Sequence, residues 1–298
     1  MIEDISDSGS DIPRELVNFQ YHKYLAFFFS IYVGSYLAPV IALMFYLFLI
    51  LKPLFLEVDS IIVILTNLDS LLIFLTIPLV VIFFYLSHLF LLGVFTRILW
   101  RYTEKKSPTK DGIIPRDIRS KTADYYHYRS FMIKYGKNAF MKGIFPWLVN
   151  WFLNFVGAGV IDKGTTFEES VLNDRHIIVG KNCYIGVNST LCTHVVEGIF
   201  GNIIYFKIIL GENVTLGGFN QIGPGGDLKE NSFLLPMAAA TKFNTTKGDN
   251  YYFGMPLRRI FKKKIMNYLK VSEDDLARSE ELRVRREKEN LERHDRVN

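Results

Sequence analysis

A six-residue period between residues 179 and 241 constrains this chain more than any other feature. Read in sixes, the stretch gives VGKNCY from Val179, IGVNST from Ile185 and LCTHVV from Leu191. After an interruption it resumes as LGENVT from Leu210, LGGFNQ from Leu216, IGPGGD from Ile222, LKENSF from Leu228 and LLPMAA from Leu234. Every hexad opens on an aliphatic residue and most follow it with glycine, the mark of a parallel β-helix. About three hexads turn the three corners of one coil, and each leading aliphatic side chain points inward onto its equivalent one coil away. Glycine is expected to supply backbone freedom at the corners. Two positions ahead of the aliphatic residue the interior is narrow, and Cys183, Ser189, Gly226 and Ser232 stand there. The register begins imperfectly after Val156, with Val160 and Val171 expected to point inward. The fold class expected is a mainly β soluble domain, a left-handed parallel β-helix over residues 156–260, preceded by a transmembrane α-helical hairpin and interfacial helices.

The remaining chain divides by composition. Residues 1–22 form an acidic, Ser-rich start expected to be a disordered tail. Residues 24–51 carry no charge and exceed the roughly twenty residues a bilayer needs. A second apolar run, residues 71–100, contains Pro78, His88 and Arg97, and Asn67 just before it suits a helix N-cap. Residues 23–100 are thus expected to be a two-helix membrane hairpin. His88, alone in an apolar run, is given no role. Basic residues gather from Arg101 to Lys121, which by the positive-inside rule places that flank, and both termini, in the cytoplasm. Residues 101–155 are read as a linker, 102–117, followed by aromatic and basic helices suited either to lipid headgroups or to capping the first coil. Residues 261–298 are a charged helix or tail with a capping box at Ser272 and Asp275. The net charge of +5 is modest and locally clustered, so no nucleic acid is expected.

Chemistry on a β-helix needs a polar exception to the repeat, and THVVEG, residues 193–198, is that exception, placed just before the interruption. His194 has the pKa range of a general base, and Glu197 could orient its ring. No GxSxG nucleophile motif is present. His176 and His194 are eighteen residues apart, one coil, so they would stack if the register held. A zinc site would still need a third ligand, and no metal is expected. Cys183 and Cys192 fall on different faces, where a disulfide is not expected.

The hexads VGKNCYIGVNSTLCTHVVEG, the renewed LGENVTLGG and the closing GMPLRR resemble the hexapeptide-repeat acyltransferases of left-handed β-helix fold. More narrowly, the apolar hairpin, the connector FPWLVNWFLNFVGAGV and THVVEG with its insertion resemble the membrane-embedded C-terminal modules of polylysine-synthetase-like nonribosomal peptide synthetases. The likeness covers about residues 20–262. It implies His194 as the base and Glu197 as its acidic neighbour. Donor-binding positions are implied at Gly217, Gly218, Gly254, Pro256 and Arg258, although Leu257 replaces the alanine usual after that proline. The implied donor is coenzyme A or a carrier-bound phosphopantetheine thioester. The implied partners are membrane lipid, two further copies in a homotrimer, and an adenylation-carrier protein, since those domains are absent from this chain. The expected function is a membrane-anchored acyl- or aminoacyl-transferase acting on an amine or hydroxyl. The alternative is a non-catalytic trimeric membrane assembly or export module on the same scaffold.

Overall fold

A computed structural model describes residues 21–58, 60–116, 118, 120–168, 170–172, 175–198, 201–260 and scattered positions from 272 to 285. The acidic tail, the lysine triplet, the Asp275 half of the C-terminal capping box and the Val171 side chain lie outside these described residues.

Helix α1 (Tyr21–Tyr46) runs on into a π-helical segment, Leu47–Leu56, that contains Pro53. After the short α2 (Ile61–Thr66), α3 spans Leu68–Lys106. Asn67 caps α3 as its sequence suggests, its Oδ1 accepting from the Asp69 amide at 2.9 Å and the Ser70 amide at 3.4 Å. The α1 region and α3 are each long and apolar enough to cross a membrane. At 1.5 Å per residue the 39 residues of α3 extend about 58 Å, nearly twice a hydrocarbon core of about 30 Å. Its burial divides accordingly. Before His88 only Ser70 is buried, while Leu72, Phe74, Leu79 and Phe83 lie exposed; from His88 on, Leu89, Leu92, Thr96, Trp100 and Thr103 are packed inside.

The packed half of α3 meets α4 (Lys121–Met141) and α5 (Leu148–Val156). Met132, Ile133 and Phe140 of α4 and Phe152 and Leu153 of α5 are fully buried, and they join the core of the coil in one cluster. Helix α5 caps the first coil. Asn154 donates to the Ile161 carbonyl at 2.7 Å and accepts from the Ile161 amide at 2.8 Å, while Asn150 donates to the Thr165 carbonyl. The open ladder end is thereby paired with side chains.

Strand β1 (Gly112–Ile114) precedes α4, and the coil follows α5. One face of the coil holds β2 (Val160–Ile161), β5 (Ile177–Val179), β10 (Ile208–Leu210) and β13 (Asp227–Leu228). A second holds β3 (Thr166–Phe167), β6 (Tyr184–Ile185), β11 (Thr215–Leu216), β14 (Ser232–Leu234) and β16 (Asn250–Phe253), with β17 (Arg258–Ile260) folded back antiparallel at its edge. The third holds β4 (Val171–Leu172), β7 (Thr190–Leu191), β12 (Gln221–Ile222) and β15 (Ala239–Ala240). All ladders within the coil are parallel, and rungs recur eighteen residues apart: Val160 pairs with Ile178, Thr166 with Tyr184, Thr215 with Phe233 and Gln221 with Ala239. Three faces climbing by eighteen residues are the three-hexad coil the period implies.

All eight leading aliphatics are buried, from Val179 to Leu234. Cys183, Ser189 and Ser232 are buried at the narrow positions, as expected. Val160 is not inward: it is 54% exposed, and Ile161 takes the interior place. The glycines after the aliphatic residues also act differently from expectation. A Cβ on Gly186 would lie 2.6 Å from the Leu216 carbonyl oxygen, and one on Gly211 2.7 Å from the Glu230 amide. These glycines are required because successive coils approach too closely for a side chain. The left-handed corner conformation is taken instead at other positions, among them Asn182, Asn188, Asn213 and Asn231. Asn213 donates to Asn231, and Asn231 to Asp249, forming a side-chain ladder up one corner.

The interruption is an antiparallel hairpin, β8 (His194–Glu197) and β9 (Asn202–Tyr205), that leaves the coil at one corner. The Phe206 amide closes its base on the Thr193 carbonyl at 2.9 Å. Strand β1, in the stretch read as linker, completes a three-stranded sheet by pairing with β9. Coil pairing resumes immediately, with Ile208 on Ile177.

Candidate functional site

Alternation along β8 and β9 decides where the site residues point. His194 pairs with Tyr205 and Val196 with Ile203, so these four share one side of the hairpin. On β9 that side is buried, Ile203 and Tyr205 clustering with Ile114 of β1 and with Ala123 and Tyr126 of α4, while Val196 near the hairpin's end is 51% exposed. His194 is half-buried, its ring edge-on to Tyr126 with centroids 5.8 Å apart. Glu197, three residues on, leaves the opposite side, where its carboxylate is ion-paired with Lys242 at 2.5 Å. The strand period therefore separates Glu197 from the ring it was expected to orient.

A carboxylate does meet an imidazole nearby. Asp111 Oδ1 lies 2.5 Å from Nε2 of His176 and also accepts from the Lys207 amide at 2.8 Å. His176 sits in the left-handed conformation at φ 63°. Burial lowers its pKa and Asp111 opposes that, leaving the group below its usual value. For Asp111 burial acts to raise the pKa, but the Lys207 amide and His176 outweigh it, and the carboxyl titrates below its ordinary range. An open depression of about 530 Å³ adjoins His176 and Lys207, lined also by Asn154, Gly157 and Asp162.

Tyr205 joins the two histidines: its ring lies 5.1 Å from that of His176, and it pairs across the hairpin with His194. Thus His176 and His194 do not stack one coil apart. The register expected between them is broken by the hairpin, and the coil above His176 begins at Ile208, whose amide bonds to the His176 carbonyl. Arg175 is held between two rings, its guanidinium carbon 4.1 Å from the centroid of Tyr126 and 5.3 Å from that of Tyr205. It donates to the Tyr126 carbonyl at 2.7 Å. Burial, then the charges of Arg175, Arg116 and His194, push His127 down to about 4, so it is neutral at pH 7. Sequence reasoning missed His176–Asp111, Arg175 and His127 as neighbours because they come from three separate segments.

The implied donor positions lie at another corner. Gly217 and Gly218 follow β11, and Gly254 follows β16 on the same face of the coil, two rungs on. A Cβ on Gly217 would come within 3.0 Å of the Leu234 oxygen, so coil packing alone accounts for that glycine. Gly218 and Gly254 have φ of 118° and 84°. Gly254 and Pro256 form the turn between β16 and β17, and Arg258 and Arg259 follow it as exposed cations. Leu257 is partly buried and packs against the core. The glycine corner leads into β12, whereas His194 emerges after β7 at the next corner, so one chain does not bring the two sets together.

No family model matches the chain, and no curated protein matches it. Among solved structures it is similar to a hexapeptide-repeat containing acetyltransferase from Vibrio cholerae, at 19% identity over 36% of this chain and 64% of that one, with a TM-score of 0.33. It is similar also to the polysialic acid O-acetyltransferase OatWY, at 18% identity over 34% of this chain and 52% of that one, TM-score 0.30. A maltose O-acetyltransferase from Clostridium difficile 630 aligns at 16% identity over 57% of this chain and 87% of that one, TM-score 0.30. The chain spans less than two thirds of the first two proteins. At these levels the fold assignment rests on the strand pairings described above.

Proposed function

We propose that the chain is a membrane-anchored acyl- or aminoacyl-transferase with a left-handed coil, both termini cytoplasmic, working as a homotrimer. The observation that carries this reading is the placement of polar exceptions on a quiet scaffold. One corner of the coil sprouts a hairpin that gathers His194, His176 and His127 around Tyr126 and Tyr205, and the neighbouring corner presents the glycine turns and exposed arginines. Because a single chain separates the corners, a complete site pairs one copy's histidines with the next copy's glycine corner.

The donor, coenzyme A or a carrier-bound phosphopantetheine supplied by an adenylation-carrier partner, would bring an electrophilic thioester carbonyl. Arg258 would hold its phosphates. His194 accepts the proton of the amine or hydroxyl acceptor as that group attacks, and corner N–H groups hold the oxyanion; when the intermediate collapses the C–S bond breaks and the leaving thiolate takes the proton from His194. A second reading of the base is favoured by the Asp111–His176 bond: a carboxylate-oriented imidazole beside an open depression has the arrangement of a catalytic dyad.

The test is thiol release from purified protein in detergent, given acyl-coenzyme A donors, carrier-bound aminoacyl thioesters and a panel of amines and alcohols. Release that depends on acceptor, with a trimer in native mass spectrometry, is the expected result. A monomer removes the shared site, and no release from any donor leaves the non-catalytic assembly.

A further inference from the structure

The lower end of α4 separates two cavities. The first lies between α1, α3 and α4, encloses about 290 Å³ and is lined by Tyr36, Pro39, Leu43, Phe84, His88 and Ala139 among others. Its walls are the segments whose outer faces expose Leu37, Ile41 and Phe83, so it opens among hydrocarbon-facing side chains. One end carries polar atoms. Tyr135 Oη lies 3.3 Å from His88 Nε2 and 3.3 Å from Tyr36 Oη, while His88 Nδ1 is 3.3 Å from the Ser35 carbonyl. Its size is near the lower end of small-molecule sites, about 300 Å³, room for one chain and not for a helix.

The second cavity, about 450 Å³, lies between the α4–α5 turn and the coil, lined by Met141, Lys142, Gly143, Phe167, Glu168 and Val187. Tyr85 stands at the boundary between them. Tyr85 lines the first cavity, and its hydroxyl lies 3.3 Å from the Ile144 amide and 3.5 Å from the Ala139 carbonyl. A Cβ on Gly143 would be 2.1 Å from that hydroxyl, so glycine makes room for the tyrosine. The second cavity also borders the glycine corner: the Val187 carbonyl accepts from the Phe219 amide at 2.8 Å and stands 3.4 Å from where a Gly218 Cβ would lie.

We propose that these cavities form one site for a single-chain membrane amphiphile, an aliphatic alcohol or amine that serves as the acyl acceptor. Its hydrocarbon chain lies in the first cavity beside Leu43 and Phe84. Its reactive end passes Tyr85 into the second, between Lys142 and Glu168 and next to the corner assigned to the thioester. The acceptor role rests on the transferase reading above; the binding site does not.

The test uses the full chain in detergent and two probes, a long-chain primary alcohol and a long-chain primary amine, each with a mid-chain diazirine. After photolysis, crosslinks mapped by peptide mass spectrometry should concentrate on residues 36–43 and 84–89. Leu43→Trp, which fills the cavity, should cut labelling there tenfold or more. Leu37→Trp, on the outer face of the same helix, should leave it unchanged. If Leu43→Trp does not purify as a folded protein, Ala139→Leu fills the same space from α4. Labelling spread evenly over the outer faces of α1 and α3, unchanged by the filling variants, would overturn the site. Pocket labelling without any acyl transfer keeps the binding site and refutes the transferase reading. Transfer to short water-soluble amines that is untouched by Leu43→Trp and not improved by a long chain refutes the acceptor assignment.

Discussion

Asp111 and His176 form a hydrogen bond of 2.5 Å although sixty-five positions of chain separate them. The contact exists because β1 crosses from the segment after α3 to pair with β9, which sets Asp111 beside the resumption of the coil. Asp111→Asn should lower the His176 pKa further, since the carboxylate is what resists the effect of burial. The Asp111 carboxyl has a depressed folded pKa, so its contribution to stability is present above about pH 4 and is lost as pH falls through the folded value. With much of the side chain in solvent, the loss at neutral pH should be about 1 kcal/mol or less. Imidazole NMR titration and thermal melts of the two proteins check both statements.

The two candidate bases separate by mutation. If His194 is the base, His194→Ala should reduce transfer about 10²–10⁴-fold and remove the acid limb of the pH profile, with His176→Ala much milder. The reverse order assigns the base to His176 and its Asp111 dyad. Parallel rate–pH profiles of the two variants decide it.

Glu197→Gln should change transfer little, because the carboxylate faces Lys242 on the outer side of the hairpin. Its partly exposed ion pair is worth about 0–1 kcal/mol. A loss of transfer approaching that of His194→Ala would show that Glu197 reaches the ring during turnover.

His127 makes stability depend on pH. Its folded pKa, about 4, is below the usual 6.5, so between those values the unfolded chain binds more protons. Stability contributed by neutral His127 is therefore full above about pH 6.5 and falls as pH drops towards 4. Allowing for its partial exposure, the effect is on the order of 1–2 kcal/mol. Thermal melts at pH 7.5 and pH 5 should show a smaller drop for His127→Asn than for the parent chain.

Asn220 supports the glycine corner from inside. Its Oδ1 accepts from the Gly218 amide at 3.0 Å, and its Nδ2 donates to the Leu235 and Ala238 carbonyls at 2.8 and 3.0 Å. Asn220→Ala leaves the buried Gly218 amide unpaired, at about 1–3 kcal/mol before relaxation, while the Leu235 and Ala238 carbonyls lose one of two donors and keep the Ala238 and Gln221 amides. A melting temperature lowered by several degrees is expected, whereas Asn213→Ala, in the exposed corner ladder, should cost far less.

Sequence alone was sufficient for the coil because its period is local. An inward side chain every six residues can be satisfied by one repeating backbone, and the leading aliphatics from Val179 to Leu234 are all interior. The two apolar runs and the Asn67 cap were legible for the same reason, since helix length and capping depend on neighbours in the chain. Val160 misled although the period itself was sufficient: counting back in sixes from Val179 reaches Ile161, which pairs with Val179 and is buried. The glycines were located correctly but for another reason, the distance between coils, which no single hexad contains. The histidine site was only half legible. THVVEG marked the break in the coil, yet a three-residue offset within a strand put His194 and Glu197 on opposite sides. The carboxylate that does meet an imidazole arrives through an antiparallel pairing of β1 with β9, and the cavities beside Tyr85 arise where α1, α3, α4 and the coil converge. Pairings between distant segments are set by which surfaces bury one another, and only the tertiary structure decided those.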